Sequence, residues 1–509
     1  MTARVASWVL LVACWGAVSA GPAVAGWSAA TPIEKGVDPI LVFGPSGDAA
    51  IGSSVMHDGG STIGATFLAR RAPHRKFGRP QRFGPVQDLS DAGSVALKAI
   101  ALPSDGAAAA LFGSYSLGPI KAFVQPRGAR RFGAAQQIVK LGDVNGDTYQ
   151  ADTTTVVDTT RGEVVEAGQD SNSNLSTATL ARGSTRFVVA RSTPAGLTGT
   201  DIAMLATDAA GGTFLTGDGT RGCTTVAYRP PQGRFRTTYQ TSDCTGNIPT
   251  NNYVQGIVAT GDGYAALLTV ETANESSRTG GPLKLFVQVG RFGRFSAPTL
   301  LSSDVPLQTG PNATGFIIAT DRDGSVTVGW FGCSAGNRDC GVYGEQGSVY
   351  GGFAGQPALL AADTPHVRLT GLGTASAVAV QRCAAHRRCT IGVALADRSR
   401  RFGQLQPITA DGRLPFTAVG RGADLQSDSR DDLLLIWTNH RGIVYAATRS
   451  TRAHRFGPPH RLSGPGVNAN TVTSAYGPRG EAIVAWSLHS GKTMAAVYDQ
   501  TPSRPRGPR

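Results

Sequence analysis

Short aliphatic runs broken by glycine-containing turns set the pattern of this chain. "ALKAIALPSDGAAAALFGS" from Ala96 and "NNYVQGIVATGDGYAALLTV" from Asn251 are typical: an apolar run, a turn carrying Asp and Gly, and a second apolar run. Apolar segments joined by Asp-Gly turns are the strongest short-range signal for antiparallel hairpins. No stretch carries the i, i+3, i+4 apolar spacing of a long amphipathic helix. The pattern predicts a chain built predominantly of β-strands.

A longer period lies over the first. Residues 82–90 read "RFGPVQDLS", 131–138 "RFGAAQQI", 294–302 "RFSAPTLLS", 401–409 "RFGQLQPIT" and 455–463 "RFGPPHRLS". The phenylalanines of this motif, Phe83, Phe132, Phe187, Phe235, Phe295, Phe353, Phe402 and Phe456, recur about every 53 residues, a length that four strands and their turns fill. Each unit reads as strand a, a Gly turn, strand b often with an aromatic near its end (Trp330, Trp437, Trp486), a variable loop, strand c, an Arg-rich corner and strand d. In this reading the motif is the c-to-d corner, where Phe enters the interface between sheets, Gly makes the turn and Arg stays in water.

The predicted fold is therefore all-β: a single β-propeller of four-stranded blades spanning residues 26–501. The C-terminal stretch "VTSAYGPRGEAIVAWSLHSGKTMAAVYD" supplies strands a, b and c without d. "GWSAATPIEKG" from Gly26 aligns Trp27, Thr31 and Ile33 with Phe295, Thr299 and Leu301, so an N-terminal strand is expected to complete the last blade and remove an open edge. Nine d strands can be counted. The unit at Arg186, "RFVVARSTPAG", has the poorest motif, and propellers usually hold four to eight blades, so eight blades are expected within a range of seven to nine.

The opening "MTARVASWVLLVACWGAVSAGPAVAG" has an early Arg, an apolar run and small-x-small sites ending at Ala20 and Ala25. It reads as a signal peptide over residues 1–25 and predicts an exported, extracellular protein. "LVAC" resembles a lipobox, with a lipid anchor on Cys14 as the minority alternative. Residues 502–509 read as a disordered basic tail. Without Cys14 six cysteines remain, an even number that suggests disulfides in an exported chain. Their spacing is local: Cys333 with Cys340, Cys383 with Cys389 and, further apart, Cys223 with Cys244. None has Cys-x-x-Cys spacing.

Antiparallel strands place the b-to-c and d-to-a loops on one face and the a-to-b and c-to-d turns on the other. The cysteines fall on the first face, beside the longest and most variable loops, and make it the default recognition surface. His57, His386, His440 and His489 also lie in its b-to-c loops, without partners at ligand spacing. The second face is basic. A formal charge of +13 favours anionic surroundings. Arginines cluster in its corners at Arg70, Arg71, Arg75, Arg130, Arg131, Arg398, Arg400, Arg401, Arg452 and Arg455, with Arg131, Arg400, Arg401 and Arg455 as candidate polyanion contacts.

The whole chain resembles secreted bacterial β-propeller repeat proteins in its Gly-turn hairpins, strands such as "AIVAW" and Phe-Gly corners. Two stretches also resemble the FG-GAP or VCBS calcium loops of integrin-type propellers, whose pattern is Asp-x-Asn-x-Asp-Gly-x-x-Asp. In "DLQSDSRDD" the resemblance implies calcium ligation by Asp424, Gln426, Asp428, the Arg430 carbonyl and Asp432. Arg421 and Arg430 are the alternative source of positive charge there. In "DVNGDTYQAD", Asp143, Asn145 and Asp147 match, with the last Asp one residue late. Calcium is the only cofactor implied.

No Gly-x-Ser-x-Gly elbow, His-Glu-x-x-His, P-loop or Rossmann fingerprint occurs, and the Ser-x-Asp-x-Gly-x-x-x-Trp box of sialidases is absent. The expected function is a non-catalytic binding module, monomeric, whose partner is an extracellular glycan, an anionic cell-wall polymer or a protein. A glycosidase- or sialidase-like propeller with degenerate motifs is the competing class. The basic face lacks the aromatic-rich groove of single-strand binders, so specific nucleic-acid binding is not expected.

Overall fold

A computed structural model describes residues 26–57, 62–83, 95–114, 120–139, 155–158, 161–169, 175–190, 197, 204–219, 223–240, 251–272, 283–305, 316–333, 340–362, 367–368, 373–374, 376–383, 389–397, 399–410, 412, 425–465, 467 and 469–499. Residues 1–25, with Cys14, and the C-terminal tail lie outside them. Among the described residues the strands form nine antiparallel sheets, each built in chain order as a-b-c-d. We number the blades from strand a at Val37–Phe43. The ninth holds Ala469–Tyr476, Ala482–Leu488 and Lys492–Asp499, and its outer edge is paired by Gly26–Trp27 and Thr31–Lys35.

The N-terminal closure follows the expectation from sequence. The blade number does not: there are nine blades, and the unit with the weak motif is a complete one. Blade 3 comprises Thr155–Asp158, Val164–Gln169, Leu175–Leu180 and Val188–Val189. Its d strand is only two residues long and pairs at Thr179 and Ala178. A blade needs backbone pairing and an aromatic wedge at its corner, and blade 3 has both in spite of its side-chain pattern.

The aromatic wedge explains the long repeat. Phe132, Phe187, Phe235, Phe295, Phe353, Phe402 and Phe456 each pack into the apolar cluster shared with the preceding blade. In blade 1 this position belongs to Phe77, packed between blades 1 and 9, and not to Phe83, which ends strand d. Trp27 takes the same place in blade 9, against blade 8 and with its ring 5.3 Å from that of Tyr498. The residue after the aromatic donates its N–H to a carbonyl of strand c: Gly78 to Arg70, Gly133 to Val124, Ser296 to Val289, Gly403 to Leu395, Gly457 to Thr448 and Ser28 to Val497.

Two details of the corner differ from the sequence reading. The left-handed turn residue precedes the aromatic, as with Gly128, Gly183, Gln232 and Arg400, and the Gly after it has no positive φ. The recurrent Gln in strand d acts between blades. Gln136 donates to the Thr185 carbonyl at 2.6 Å and accepts from the Phe187 N–H at 2.9 Å, and Gln406 donates to the His454 carbonyl at 2.8 Å. Each therefore holds the backbone of the next corner just ahead of its aromatic.

Strand b is buried on both faces, which is why it reads as an unbroken apolar run. In blade 8, Leu433, Leu435 and Trp437 face blade 7 while Leu434 and Ile436 face blade 9. The equivalents of Leu435 are Ile51, Ala110, Leu215, Leu267, Val328 and Val484, all fully buried and apolar. In blade 3 that position is Glu166, fully buried, with no hydrogen-bond partner for either carboxylate oxygen among the described residues. Burial pushes its pKa up to about 8.

Candidate functional site

The described residues cover the a-to-b and c-to-d face far better than the other one. On the b-to-c face, the hairpins of blades 8 and 9 (438–444 and 488–492) are described, and His440 and His489 stand exposed in them. His386 and Cys244 lie outside the described residues, and of His57 only the backbone, at the end of a b strand, is placed. Strand pairing sets Cys333 directly opposite Cys340, and Cys383 opposite Cys389, at the mouths of b-to-c hairpins. Cys223 begins strand c of blade 4.

Turns on the basic face are capped by carboxylates. Asp208, Asp321 and Asp428 each accept, on Oδ1, the N–H groups two and four residues ahead, at 2.8 to 3.1 Å. Short polar side chains favour such turns because they replace a missing backbone partner. Residues 428–432 of "DLQSDSRDD" are thus the a-to-b turn of blade 8, the position that its resemblance implied.

Its described donors are engaged by other groups of the protein. Gln426 is committed to blade 9, donating to the Ser474 carbonyl at 2.8 Å and accepting from the Tyr476 N–H at 2.9 Å. The Arg430 guanidinium lies 3.0 Å from Asp428 Oδ2 and 3.7 Å from Asp432 Oδ2. Asp432 Oδ1 accepts from the N–H and hydroxyl of Thr451, at 2.7 and 2.9 Å. Arg430 is therefore the cation that stands beside this negative charge among the described residues. Asp424, Arg421 and the loop with Asp143, Asn145 and Asp147 lie outside the described residues.

A second carboxyl pair sits in the a-to-b turn of blade 6. Burial, together with a hydrogen bond to Asp323, pushes Asp321 up to about 7, and that bond holds Asp323 below the usual carboxylate range. Glycoside hydrolysis needs its carboxyl groups about 5 Å or more apart, so this pair lacks the spacing for that chemistry.

The candidate polyanion contacts Arg131, Arg400, Arg401 and Arg455 are exposed at the corners of blades 2, 7 and 8, as are Arg130 and Arg452 there and Arg75 at the corner of blade 1. They are spread around the ring and do not form one site, and Arg398 lies outside the described residues. Arg70 and Arg71 depart from the expectation that corner arginines project into water. Arg70 NH2 is 3.1 Å from Asp48 Oδ2 and Arg71, buried, reaches Asp499 Oδ1 at 2.9 Å. Both lie in strand c, where the a-to-b turn of the same blade supplies Asp48 and blade 9 supplies Asp499.

Convergence occurs elsewhere on this face, between blades 3 and 4. A cleft of about 700 Å³ is lined by Arg161, Glu163, Thr179, Ala181, Arg182, Val188, Arg229 and Gln232. Arg161 stands in the a-to-b turn of blade 3 and leans on blade 4. Gly211 there has a φ of 89°, and a Cβ on it would come within 3.0 Å of the Arg161 side chain. Arg182 precedes the left-handed Gly183 in the corner of blade 3.

Arg229 is 5% exposed at the end of strand c in blade 4. Its NH2 meets Glu163 Oε2 at 2.8 Å, its Nε donates to the Gly233 carbonyl at 3.2 Å, and its NH1 is buried without a hydrogen-bond partner among the described residues. Three guanidinium groups against one carboxylate leave the cleft net positive, and Val188, 71% exposed, adds an apolar wall. The sequence reading missed these arginines. They lie about 70 residues apart in three different turns and strands, and no linear motif links them.

No family model and no curated protein matches the chain. Structural resemblance is broad and shallow. A structure from a study of two prolyl endopeptidases aligns at 12% identity over 77% of this chain and 55% of that one, with a TM-score of 0.38, so the chain spans about half of its length. The polysaccharide lyase Uly1 aligns at 10% identity over 92% and 90%, TM-score 0.41. The WD40 domain of SCAP from fission yeast aligns at 9% over 93% and 98%, TM-score 0.44.

Proposed function

We propose that this protein is an exported, non-catalytic propeller that binds an anionic glycan or cell-wall polymer on its basic face, with the cleft between blades 3 and 4 as the specific subsite. The observation that carries the reading is the cleft itself: Arg161, Arg182 and Arg229 converge there against a single Glu163. Guanidinium groups pair bidentately with carboxylate, sulfate or phosphate. The buried Arg229 fixes the positive charge at the floor of the cleft, and the exposed corner arginines, Arg131, Arg400, Arg401 and Arg455, extend the field along a polymer. On this reading the hairpins at Cys333–Cys340 and Cys383–Cys389 are disulfide-braced, and the register that sets each pair face to face supports it.

The test is retention on immobilised polyuronate, sulfated glycan and phosphate-rich wall polymer, with a neutral glucan as control, across a salt series. Binding should fall steeply with ionic strength. Arg161→Ala and Arg182→Ala should each weaken it about tenfold, the effect of losing one charge-assisted contact. Retention that ignores salt, or survives both substitutions, refutes the assignment.

A further inference from the structure

The ring closes at the seam between blades 9 and 1, and three side chains meet there. His74 comes from the c-to-d corner of blade 1, Glu481 immediately precedes strand b of blade 9, and Asp499 ends strand c of the same blade. One nitrogen of His74 and one oxygen of each carboxylate all lie within 4.8 Å of one another. His74 Nδ1 is 3.1 Å from Glu481 Oε1 and 3.8 Å from Asp499 Oδ1.

Comparison with blades 3 and 4 shows what is unusual about this seam. There the residue before strand b, Glu163, pairs with the arginine that ends strand c of the next blade, Arg229, at 2.8 Å. The equivalents at the seam are Glu481 and Arg71, yet Arg71 NH2 goes to Asp499 Oδ1 at 2.9 Å and makes no ion pair with Glu481. Glu481 is left with no exposed side-chain area, with Oε1 facing the His74 imidazole and backbone N–H, and with Oε2 buried and without a hydrogen-bond partner among the described residues. A carboxylate taken wholly out of water needs a cation at close range, and here the cation that answers Glu163 between blades 3 and 4 has its counterpart diverted to Asp499.

We infer that His74, Glu481 and Asp499 form a site for a first-row divalent cation, with zinc as its representative, that clasps the last blade to the first. One imidazole nitrogen and two carboxylate oxygens suit zinc and its neighbours. Calcium and magnesium ask for six or more oxygens. The unpartnered Glu481 Oε2 allows that carboxylate to bind through both oxygens. His74 and Asp499 are about half exposed, 50% and 49%, so the ion has a path in and a fourth position open to water. Arg71 holds Asp499 from outside the triad, as groups behind metal ligands do when they orient a carboxylate. Because the ligands come from blades 1 and 9, binding energy is added at the one junction that joins the two ends of the chain.

The experiment is zinc titration of the untagged protein by calorimetry, with melting curves in zinc, in calcium and in chelator. One zinc per chain should bind at micromolar concentration, and saturation should raise the melting temperature by about 3 °C. His74→Ala changes a half-exposed side chain and should fold normally, yet lose both effects. Asp499→Asn should weaken binding at least tenfold, while His489→Ala, on an exposed hairpin of the opposite face, should leave it unchanged. Should Glu481→Gln fold poorly, zinc stoichiometry in its folded fraction still reads the site and is expected to be near zero. No zinc binding by the unaltered protein, unchanged binding in His74→Ala, or an equal shift with calcium overturns the inference.

Discussion

Glu166 offers the most quantitative test of the packing described above. It occupies a position that seven other blades fill with an apolar residue, and its carboxyl is pushed up to about 8 from 4.5 by burial alone. A group whose pKa is raised by folding stabilises the protein fully below its unfolded value, near 4.5. That contribution is lost as pH rises toward 8, because the unfolded chain releases the proton and the folded one cannot. A shift from 4.5 to about 8 corresponds to about 5 kcal/mol, spread over that interval and constant above it.

Glu166→Leu removes the titration and installs the residue type found at Leu215, Leu267 and Leu435. The assay is melting of both proteins at pH 5, 6, 7, 8 and 9. With an unfolding entropy that scales with chain length, 5 kcal/mol corresponds to about 5 °C for a chain of this size. The variant should match or modestly exceed the parent at pH 5 and outlast it by about 5 °C at pH 8 and above. Glu34, also raised to about 8 by burial, titrates in both proteins and cancels in the difference. Parallel profiles across the whole range would show that Glu166 is not held protonated in the fold.

Gln136→Ala should cost about 1 kcal/mol and speed amide exchange at Phe187, since two hydrogen bonds to the next corner are lost; Gln137→Ala, on the exposed side of the same strand, should do neither. Trp27→Ala removes the half-buried aromatic of the closing strand and its contact with Tyr498 and should cost about 2 kcal/mol, read as a lower denaturant midpoint. Arg430→Ala should lower the melting temperature by about 1 °C, since it removes the cation beside buried Asp428. Calcium and chelator should give the unaltered protein identical curves, and a calcium-dependent rise would show that the loop from Asp424 holds the ion after all. Peptide mapping without reductant should join Cys333 to Cys340, Cys383 to Cys389 and Cys223 to Cys244; a bridge between blades would contradict the strand register.

The strands, their grouping in fours and the closure by the N-terminal segment were legible in the sequence because they depend on local terms. Asp-Gly turns, double-sided apolar strands and a corner aromatic act within one unit, and repetition makes them visible. The position of Trp27 could be read from its spacing to Thr31 and Ile33. Blade number could not be read in the same way. It depends on whether a unit with weak side-chain signals still completes its backbone ladder, and blade 3 does so with two residues in strand d. The assignment of Phe83 failed for a related reason: "KFG" and "RFG" stand six residues apart in one unit, and only packing against blade 9 selects Phe77.

Charge was the property least readable from the linear chain. An Arg in a corner and an Arg four residues earlier in strand c look alike in sequence. Packing leaves Arg75 in water and buries Arg71 against Asp499. The aspartates of residues 424–432 carry the spacing of a cation loop, but whether an ion or an arginine answers them depends on where Arg430 folds back. The cleft of Arg161, Arg182 and Arg229, and the triad of His74, Glu481 and Asp499, are assembled by blade-to-blade contact between residues 68 and 425 positions apart at their widest. Local propensity acts over a few residues and electrostatic pairing acts over a few ångströms, so only the closed ring could bring these groups together.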